Sequence, residues 1–293
     1  MMSRFQRSWD LFKKSVSVMI QHKQLLVFPI VILVLTLCIL ALFITPVVMM
    51  FVAQGVHAAA TDRQAEVQGF GALAGLYFIL IYFVSMFSAT FFNVAFYHEI
   101  MEALQGRPVS IGNGLRFAST RWKSILLWSL FAGLIGYIIR ALEQKFGLFG
   151  RIIMALVGTA WSVACIFVIP VIIQDEATFN PIEILKKSVS TLKRTWGESL
   201  IGYVGISLAS WLVLVFSLFW LGGTVAMAVF LNSIWLGVLA GAGWLITIII
   251  FSYLTSVANQ IFRCALFLYA TTGAMPQPFD ADSAALAWKM KRA

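Results

Sequence analysis

The sequence has few charged residues and very few cysteines. Only 11% of its 293 residues are charged, whereas a soluble domain typically carries about 25%. Its three cysteines, Cys38, Cys165 and Cys264, are solitary residues in apolar surroundings, with no CxxC pair. No disulfide framework or zinc site is therefore expected, and we interpret the cysteines as small buried thiols.

Motifs for catalysis are also lacking. The sequence contains no recognisable Ser/His/Asp set, no paired carboxylates and no phosphate-binding glycine loop. The segment HEIME at 98–102 comes closest to a metal motif, but Glu102 stands where the HExxH zinc helix has its second histidine. His98 and Glu102 share a helix face, and we interpret them as an interfacial polar cluster. No catalytic residue, cofactor or metal is assigned, and the protein is expected not to be an enzyme.

Long apolar runs, by contrast, are abundant. Hydrophobic residues make up 61% of the chain and the mean hydropathy is +0.91. Several runs exceed the roughly 18 apolar residues that mark a bilayer-spanning helix. The uncharged segment GGTVAMAVFLNS at 222–233 is predicted to form a tight or partly immersed hairpin. The runs predict six spans, at 25–53, 71–97, 124–140, 151–174, 199–221 and 233–257.

Lysine and arginine are distributed unequally between the connecting segments. Five precede the first span, four lie in 98–123, four in 175–198 and four beyond the sixth span, against four in the remaining segments. The positive-inside rule then predicts that both termini are cytoplasmic. The net charge of +9 is attributed to this topology and not to nucleic-acid binding, because the basic residues are spread between apolar runs.

The pentapeptide KKSVS occurs twice, at 13–17 and at 186–190, each time just before a long apolar run. Around the second copy, Asn180 as N-cap, Pro181 and Glu183 predict the start of a helix. Apolar residues then recur at helical spacing opposite a basic face, which predicts an amphipathic helix on the membrane surface. The apolar residues are Ile182, Leu185, Val189, Leu192 and Trp196.

Similar stripes precede the first and third spans. They comprise Phe5, Trp9, Phe12, Val16 and Met19 in one segment, and Ile111, Leu115, Ala118 and Trp122 in the other. The pattern predicts three repeats of surface helix, span and span in one membrane domain covering 1–293. Ordinary juxtamembrane basic segments are the alternative. The predicted boundaries are repeat 1 at 1–97, repeat 2 at 98–174, repeat 3 at 175–270 and a cytoplasmic tail at 271–293.

Two groups of residues are candidate sites. The first would contact anionic lipid headgroups, where each basic residue contributes about 1 kcal/mol; it comprises Lys13, Lys14, Lys186, Lys187, Lys193 and Arg194. The second lies at or near membrane depth, where polar groups are costly and often functional; it comprises Asn93, Asn259, Gln260 and Arg263. This second group is interpreted either as the polar lining of a cavity or as interhelical hydrogen bonding.

Three segments together resemble an uncharacterised family of prokaryotic six-span integral membrane proteins, a domain of unknown function. They are RSWDLFKKSVSVMIQHKQLLVFP at 7–29, AWSVACIFVIPVII at 160–173 and KKSVSTLKRTWGESLIG at 186–202. The resemblance implies a location in the prokaryotic inner membrane. A looser likeness, in the arrangement of hairpins only, links the chain to the membrane domains of glycerophosphodiester phosphodiesterases, and it implies no hydrolase role.

The predicted fold is therefore all-α, with six transmembrane helices as three hairpins, each preceded by an amphipathic interfacial helix. The predicted function is a non-enzymatic scaffold or accessory component of a membrane complex. Its partners would be anionic headgroups and a protein partner or a second copy of the chain. The alternative is a channel or transporter for a small solute or lipid. No carboxylate lies at the centre of a predicted span, which argues against ion coupling.

Overall fold

A computed structural model of the chain describes residues 4–58, 67–145, 147–195, 199–231, 233–274, 276 and 279. Within these ranges the chain forms α-helices and no strands, which confirms the all-α prediction. Most of the predicted tail and the side chains of Phe5, Trp9, Phe12 and Trp196 lie outside the described part. The helices are α1 Arg4–Gln21, α2 Gln24–Ala58, α3 Val67–Leu104, α4 Ile111–Thr120, α5 Trp122–Lys145, α6 Leu148–Ala164, α7 Val168–Gln174, α8 Pro181–Thr195, α9 Ser199–Phe230 and α10 Ile234–Thr272.

Five helical stretches of the described chain are long and apolar enough to cross a membrane. In α9 the described apolar stretch, Leu214–Phe230, is shorter than the others. The helices are thus compatible with a multi-pass membrane protein. The five stretches are Gln24–Pro46, Gly75–Leu104, Trp122–Lys145, Gly150–Gln174 and Ile234–Thr272.

Several helices run past the predicted ends of the spans. The third predicted span, 124–140, lies within the 24 residues of α5. The predicted hairpin connection at 222–233 is wrong in extent, because α9 continues to Phe230 and α10 begins at Ile234. Gly222 and Gly223 do not end α9, since a chain in lipid must satisfy its own backbone groups and glycine is common in transmembrane helices.

The fourth predicted span is broken. α6 ends at Ala164 and α7 begins at Val168, with a tight turn in which Ile166 N–H donates to Val163 O and Val168 N–H to Cys165 O, both at 3.2 Å. Pro170 accounts for the break, because proline lacks an amide hydrogen and its ring clashes with the carbonyl four residues earlier.

The chain divides into two compact units. The first consists of Met1–Leu26, Glu99–Val109 and Ser190–Ala293. In this unit α1 packs against α9 and α10, and α9 and α10 pack against each other. The hydroxyl of Tyr253 in α10 donates a hydrogen bond to the carbonyl of Leu26.

The second unit consists of Val27–His98 and Ser110–Val189. α5 packs against α6 in this unit, and the rings of Trp128 and Trp161 stack with centroids 6.1 Å apart. The hydroxyl of Tyr82 in α3 donates to Gly133 O in α5 at 2.9 Å. Aromatic side chains with one polar atom therefore join the helices by both stacking and hydrogen bonding.

Among the side chains that the structure describes, the buried residues of α3, α5 and α10 lie toward one end of each helix. In α3 they lie mostly between 88 and 104, and in α10 between 255 and 270. In α5 they lie near the beginning, between 124 and 133. The remaining parts of these helices present large apolar side chains outward, as lipid-facing surfaces do. Packing within the protein is thus concentrated at the C-terminal ends of α3 and α10 and near the beginning of α5.

Gly133 provides a test of the contact between α3 and α5. A Cβ atom there would lie 3.3 Å from Tyr82 Cε1 and 3.4 Å from Phe83 Cε1. We expect Gly133→Ile to lower the free energy of unfolding by about 1–3 kcal/mol through overpacking. Thermal denaturation in mild detergent measures the change. Gly222→Ile is the matched control, because nothing lies within 4 Å of a Cβ at that position; equal destabilisation by the two substitutions would contradict the prediction.

Candidate functional site

The first residues of α8 have the positions that the sequence predicts. Asn180 Oδ1 accepts a hydrogen bond from Ile182 N–H at 3.0 Å, Pro181 is the first helical residue, and Glu183 lies in the first turn. The predicted N-cap is confirmed. A carboxylate in the first turn is favourable beside the positive end of the helix dipole.

α8 has one face buried in the protein. Ile184 and Ser188 are fully buried and Leu192 is nearly so, whereas Ile182 from the predicted stripe is exposed. Leu185 and Val189 are half-buried. The row buried in protein is therefore displaced from the predicted stripe, because the apolar residues of α8 are divided between the protein and the exposed surface.

The hydroxyl of Ser188 lies at the break between α6 and α7. It donates a hydrogen bond to Ala164 O at 2.6 Å and accepts one from Phe167 N–H at 3.2 Å. A break in a helix leaves such a carbonyl and such an amide without their usual partners. One side chain of α8 thus satisfies backbone groups on both sides of the turn and fastens α8 to the broken span.

A set of charged and polar side chains lies beside this contact, where α7 ends. The ammonium group of Lys187 donates to Asp175 Oδ2, and Lys187 Nζ also donates to Thr178 Oγ1 at 2.9 Å. Thr178 Oγ1 donates to Asp175 Oδ2 at 2.7 Å. These bonds, that from Lys187 first, lower the pKa of Asp175 below its usual value. Lys187, a candidate headgroup contact, is therefore engaged within the protein.

Arg121, between α4 and α5, reaches the same region. Its side chain is almost fully buried, and its guanidinium group lies 2.5 Å from Glu176 Oε1. It also lies 5.3 Å from the centroid of the Phe117 ring, and that ring stacks on the His98 imidazole at 3.9 Å. A guanidinium group that is delocalised and planar suits such combined ionic and aromatic contacts. The sequence predicted for Arg121 only a place among the four basic residues of the connecting segment 98–123, because no spacing pattern links it to Glu176.

The side chains of His98 and Glu102 in the HEIME segment contact an aromatic and a basic residue. His98 stacks on Phe117, and Glu102 forms an ion pair with Arg107 at 2.5 Å. In the described ranges no group of three or more histidine, cysteine, aspartate or glutamate residues could hold a metal ion.

The remaining candidate headgroup residues are spread over two helices. Lys13 is exposed and Lys14 half-buried on α1, and the α8 residues are exposed. Position 15 of the first KKSVS copy is fully buried, as is position 188 of the second. Gly114 is also buried, and it lies 74 residues before Ser188, the same separation as between Ile111 and Leu185 in the predicted surface helices. The α8 residues are Lys186, Lys187, Lys193 and Arg194.

Three of the four predicted lining residues lie on α10 in the first unit. Asn259, Gln260 and Arg263 are each half-buried. Asn259 Oδ1 and Gln260 Oε1 are buried without a hydrogen-bond partner. Thr255 Oγ1 and Trp244 Nε1, which the sequence reasoning missed, share this property. Threonine and tryptophan are common in apolar helices, so nothing in the sequence singled these two out.

Asn93, the fourth predicted lining residue, belongs to α3 and to the second unit. Its side chain is exposed, and its amide donates to Ala89 O at 2.9 Å within the same helix. Asn93 and Gln260 each lie thirteen residues before a glycine. Those glycines, Gly106 and Gly273, both have a φ of 73°, the left-handed conformation that favours glycine after a helix.

Comparison with known proteins gives a match at the level of the family. A model described as a family of unknown function (DUF6159) matches residues 67–276. No curated protein and no solved structure matches the chain. The match covers α3 to α10 and therefore includes the whole region around Ser188 and the polar residues of α10.

Removal of the Ser188 hydroxyl should weaken the attachment of α8. Ser188→Ala leaves Ala164 O and Phe167 N–H without their partner, so we expect a loss of about 1–3 kcal/mol in the free energy of unfolding. Thermal denaturation in detergent measures this loss. Ser190→Ala, in the same helix but exposed, should change it by less than about 0.5 kcal/mol. Equal effects of the two variants would show that the bridge does not stabilise the protein.

The ion pair of Asp175 should make stability depend on pH. Because its pKa is lowered in the folded protein, Asp175 stabilises the fold above its unfolded pKa of about 3.9, and this contribution is lost as the pH falls through the folded pKa. We expect the wild type to be more stable than Asp175→Asn at pH 7. The difference should shrink as the pH falls below about 4. A difference that is independent of pH in denaturation experiments would refute this expectation.

Proposed function

The chain belongs to the family of unknown function DUF6159, and from that premise we propose that it is a non-enzymatic scaffold or accessory component of a membrane complex. The observation that supports this proposal most is the attachment of α8. One face of α8 is fixed to the broken span through Ser188, while Lys186, Lys193 and Arg194 are exposed. A basic surface held in place in this way binds an acidic partner with little loss of conformational entropy.

The surroundings of α8 fit the membrane interface. Phe179 and Ile182, at the start of α8, and Trp122, at the start of α5, expose large apolar side chains. Lys123 Nζ lies 5.8 Å from the centroid of the Trp122 ring. Aromatic residues beside basic residues are typical of the headgroup layer. In the proposed arrangement, the basic residues of α8 contact anionic headgroups and an acidic surface of a protein partner or second copy.

The proposal includes a topology. The chain would lie in the prokaryotic inner membrane with both termini cytoplasmic and six spans in three hairpins. The asymmetry of lysine and arginine supports this orientation. The proposed repeat is supported by the burial of Ser15, Gly114 and Ser188 at corresponding positions. The matching glycine turns at Gly106 and Gly273 support it as well.

Charge reversal on α8 tests the scaffold function. A photo-crosslinking residue placed at Glu183, which is exposed, should capture a consistent protein neighbour in native membranes. Reversal of three basic charges, with Lys186→Glu, Lys193→Glu and Arg194→Glu together, should reduce this capture at least tenfold, because it replaces attraction to an acidic partner by repulsion. Mass spectrometry of the crosslinked products measures the yield.

The control reverses three exposed basic residues on the other proposed side of the membrane, through Arg140→Glu, Lys145→Glu and Arg151→Glu. These variants should retain the crosslink. Recovery of lipid alone from the wild type, with no consistent protein neighbour, would overturn the scaffold proposal. A similar loss of capture in the control would show that the charge of α8 has no specific role.

A further inference from the structure

Unpartnered polar atoms recur along one helix, α10, within a candidate span. Thr255 is more than nine-tenths buried, and its Oγ1 has no hydrogen-bond partner. The buried atoms Asn259 Oδ1, Gln260 Oε1 and Trp244 Nε1 also lack one. All four residues belong to the first unit.

Helix geometry aligns three of these four residues. At 3.6 residues per turn, Trp244, Thr255 and Asn259 fall within about 60° of one another around the axis of α10. The distance from Trp244 to Asn259 along the axis is about 22 Å at 1.5 Å per residue. Arg263, one turn beyond Asn259, continues this face, whereas Gln260 lies about 100° from Asn259 and about 160° from Trp244 around the axis. We call Trp244, Thr255, Asn259 and Gln260 the α10 polar column.

A ligand is the simplest means of satisfying these atoms. A buried polar group without a partner costs free energy, and the hydrocarbon core of a bilayer supplies neither donors nor acceptors. Trp244 is too far from the other three residues to share one small ligand with them, so water is its expected partner. Thr255, Asn259 and Gln260 lie within about 8 Å along the axis; they offer acceptors in the amide oxygens of Asn259 and Gln260 and both functions in the hydroxyl of Thr255. The matching ligand must therefore donate hydrogen bonds, and it can accept one from Thr255.

The charge of the column narrows the class of ligand further. None of its four residues is ionisable in the physiological range, and the guanidinium group of Arg263 lies one turn away, which disfavours a cation. The amide oxygens of Asn259 and Gln260 disfavour an anion. We propose that the α10 polar column is a hydrated site that binds a small uncharged solute bearing hydroxyl or amide groups. This site is independent of the scaffold function proposed for α8.

Cysteine accessibility in native membranes tests this proposal. Thr255→Cys and Asn259→Cys are introduced separately after replacement of the native cysteines by alanine, and each is treated with a small hydrophilic methanethiosulfonate reagent. We expect modification within tenfold of the rate at Lys186→Cys, an exposed position. Ile249→Cys, on the outward face of α10, should react at least tenfold more slowly. Rates at Thr255→Cys and Asn259→Cys as slow as at Ile249→Cys would overturn the proposal.

Solute protection tests which ligand occupies the site. Glycerol and urea should each slow the modification of Asn259→Cys at least threefold, and sodium chloride of equal osmolarity should not. Rapid modification without protection by either solute would overturn the solute-binding proposal and leave water as the occupant.

Hydroxyl-radical labelling of the wild-type protein tests the site if the cysteine variants fail to fold. Oxidation of Trp244 above the level of a lipid-facing tryptophan such as Trp235 is expected, and equal oxidation would contradict the proposal.

Discussion

In lipid, the backbone must form all of its hydrogen bonds within the protein. The break between α6 and α7 leaves a backbone carbonyl and a backbone amide without their helical partners. Pro170 interrupts the helix. The hydroxyl of Ser188 donates a hydrogen bond to the carbonyl of Ala164 and accepts one from the amide of Phe167. A single oxygen atom is both donor and acceptor in this contact. The position of α8 therefore depends on a defect in a neighbouring span, and α8 in turn makes that defect tolerable.

The arrangement of charge around α8 follows from the same contact. With Ser188 buried, Lys187 reaches Asp175 and Thr178, whereas Lys186, Lys193 and Arg194 are exposed. Two adjacent lysines in one pentapeptide thus differ, because Lys187 forms an ion pair with Asp175 at the surface and Lys186 is exposed. The ion pair between the buried Arg121 side chain and the exposed Glu176 adds a second connection at the end of α7. These contacts make the exposed basic residues of α8 part of a defined surface.

Sequence patterns predicted the elements of this fold better than their contacts. Long apolar runs predicted the long apolar helices, and Asn180 predicted the start of α8, because both signals are local. The role of Ser188 could not be predicted, since serine in an amphipathic helix usually indicates only a polar position. The buried row of α8 differs from the predicted apolar stripe, because hydrophobicity does not distinguish a side chain that faces protein from one that faces lipid. For the same reason Thr255 was missed, although its neighbour Asn259 was identified.

The confinement of buried side chains to one end of α3, α5 and α10 has a consequence for the environment of the protein. At the other ends the described large apolar side chains face outward, so in a membrane they would contact lipid. Delipidation should therefore loosen these regions before it affects the region around Ser188. The thickness and composition of the bilayer act on the loosely packed ends directly, so the choice of detergent or nanodisc lipid helps to determine the conformation that is isolated.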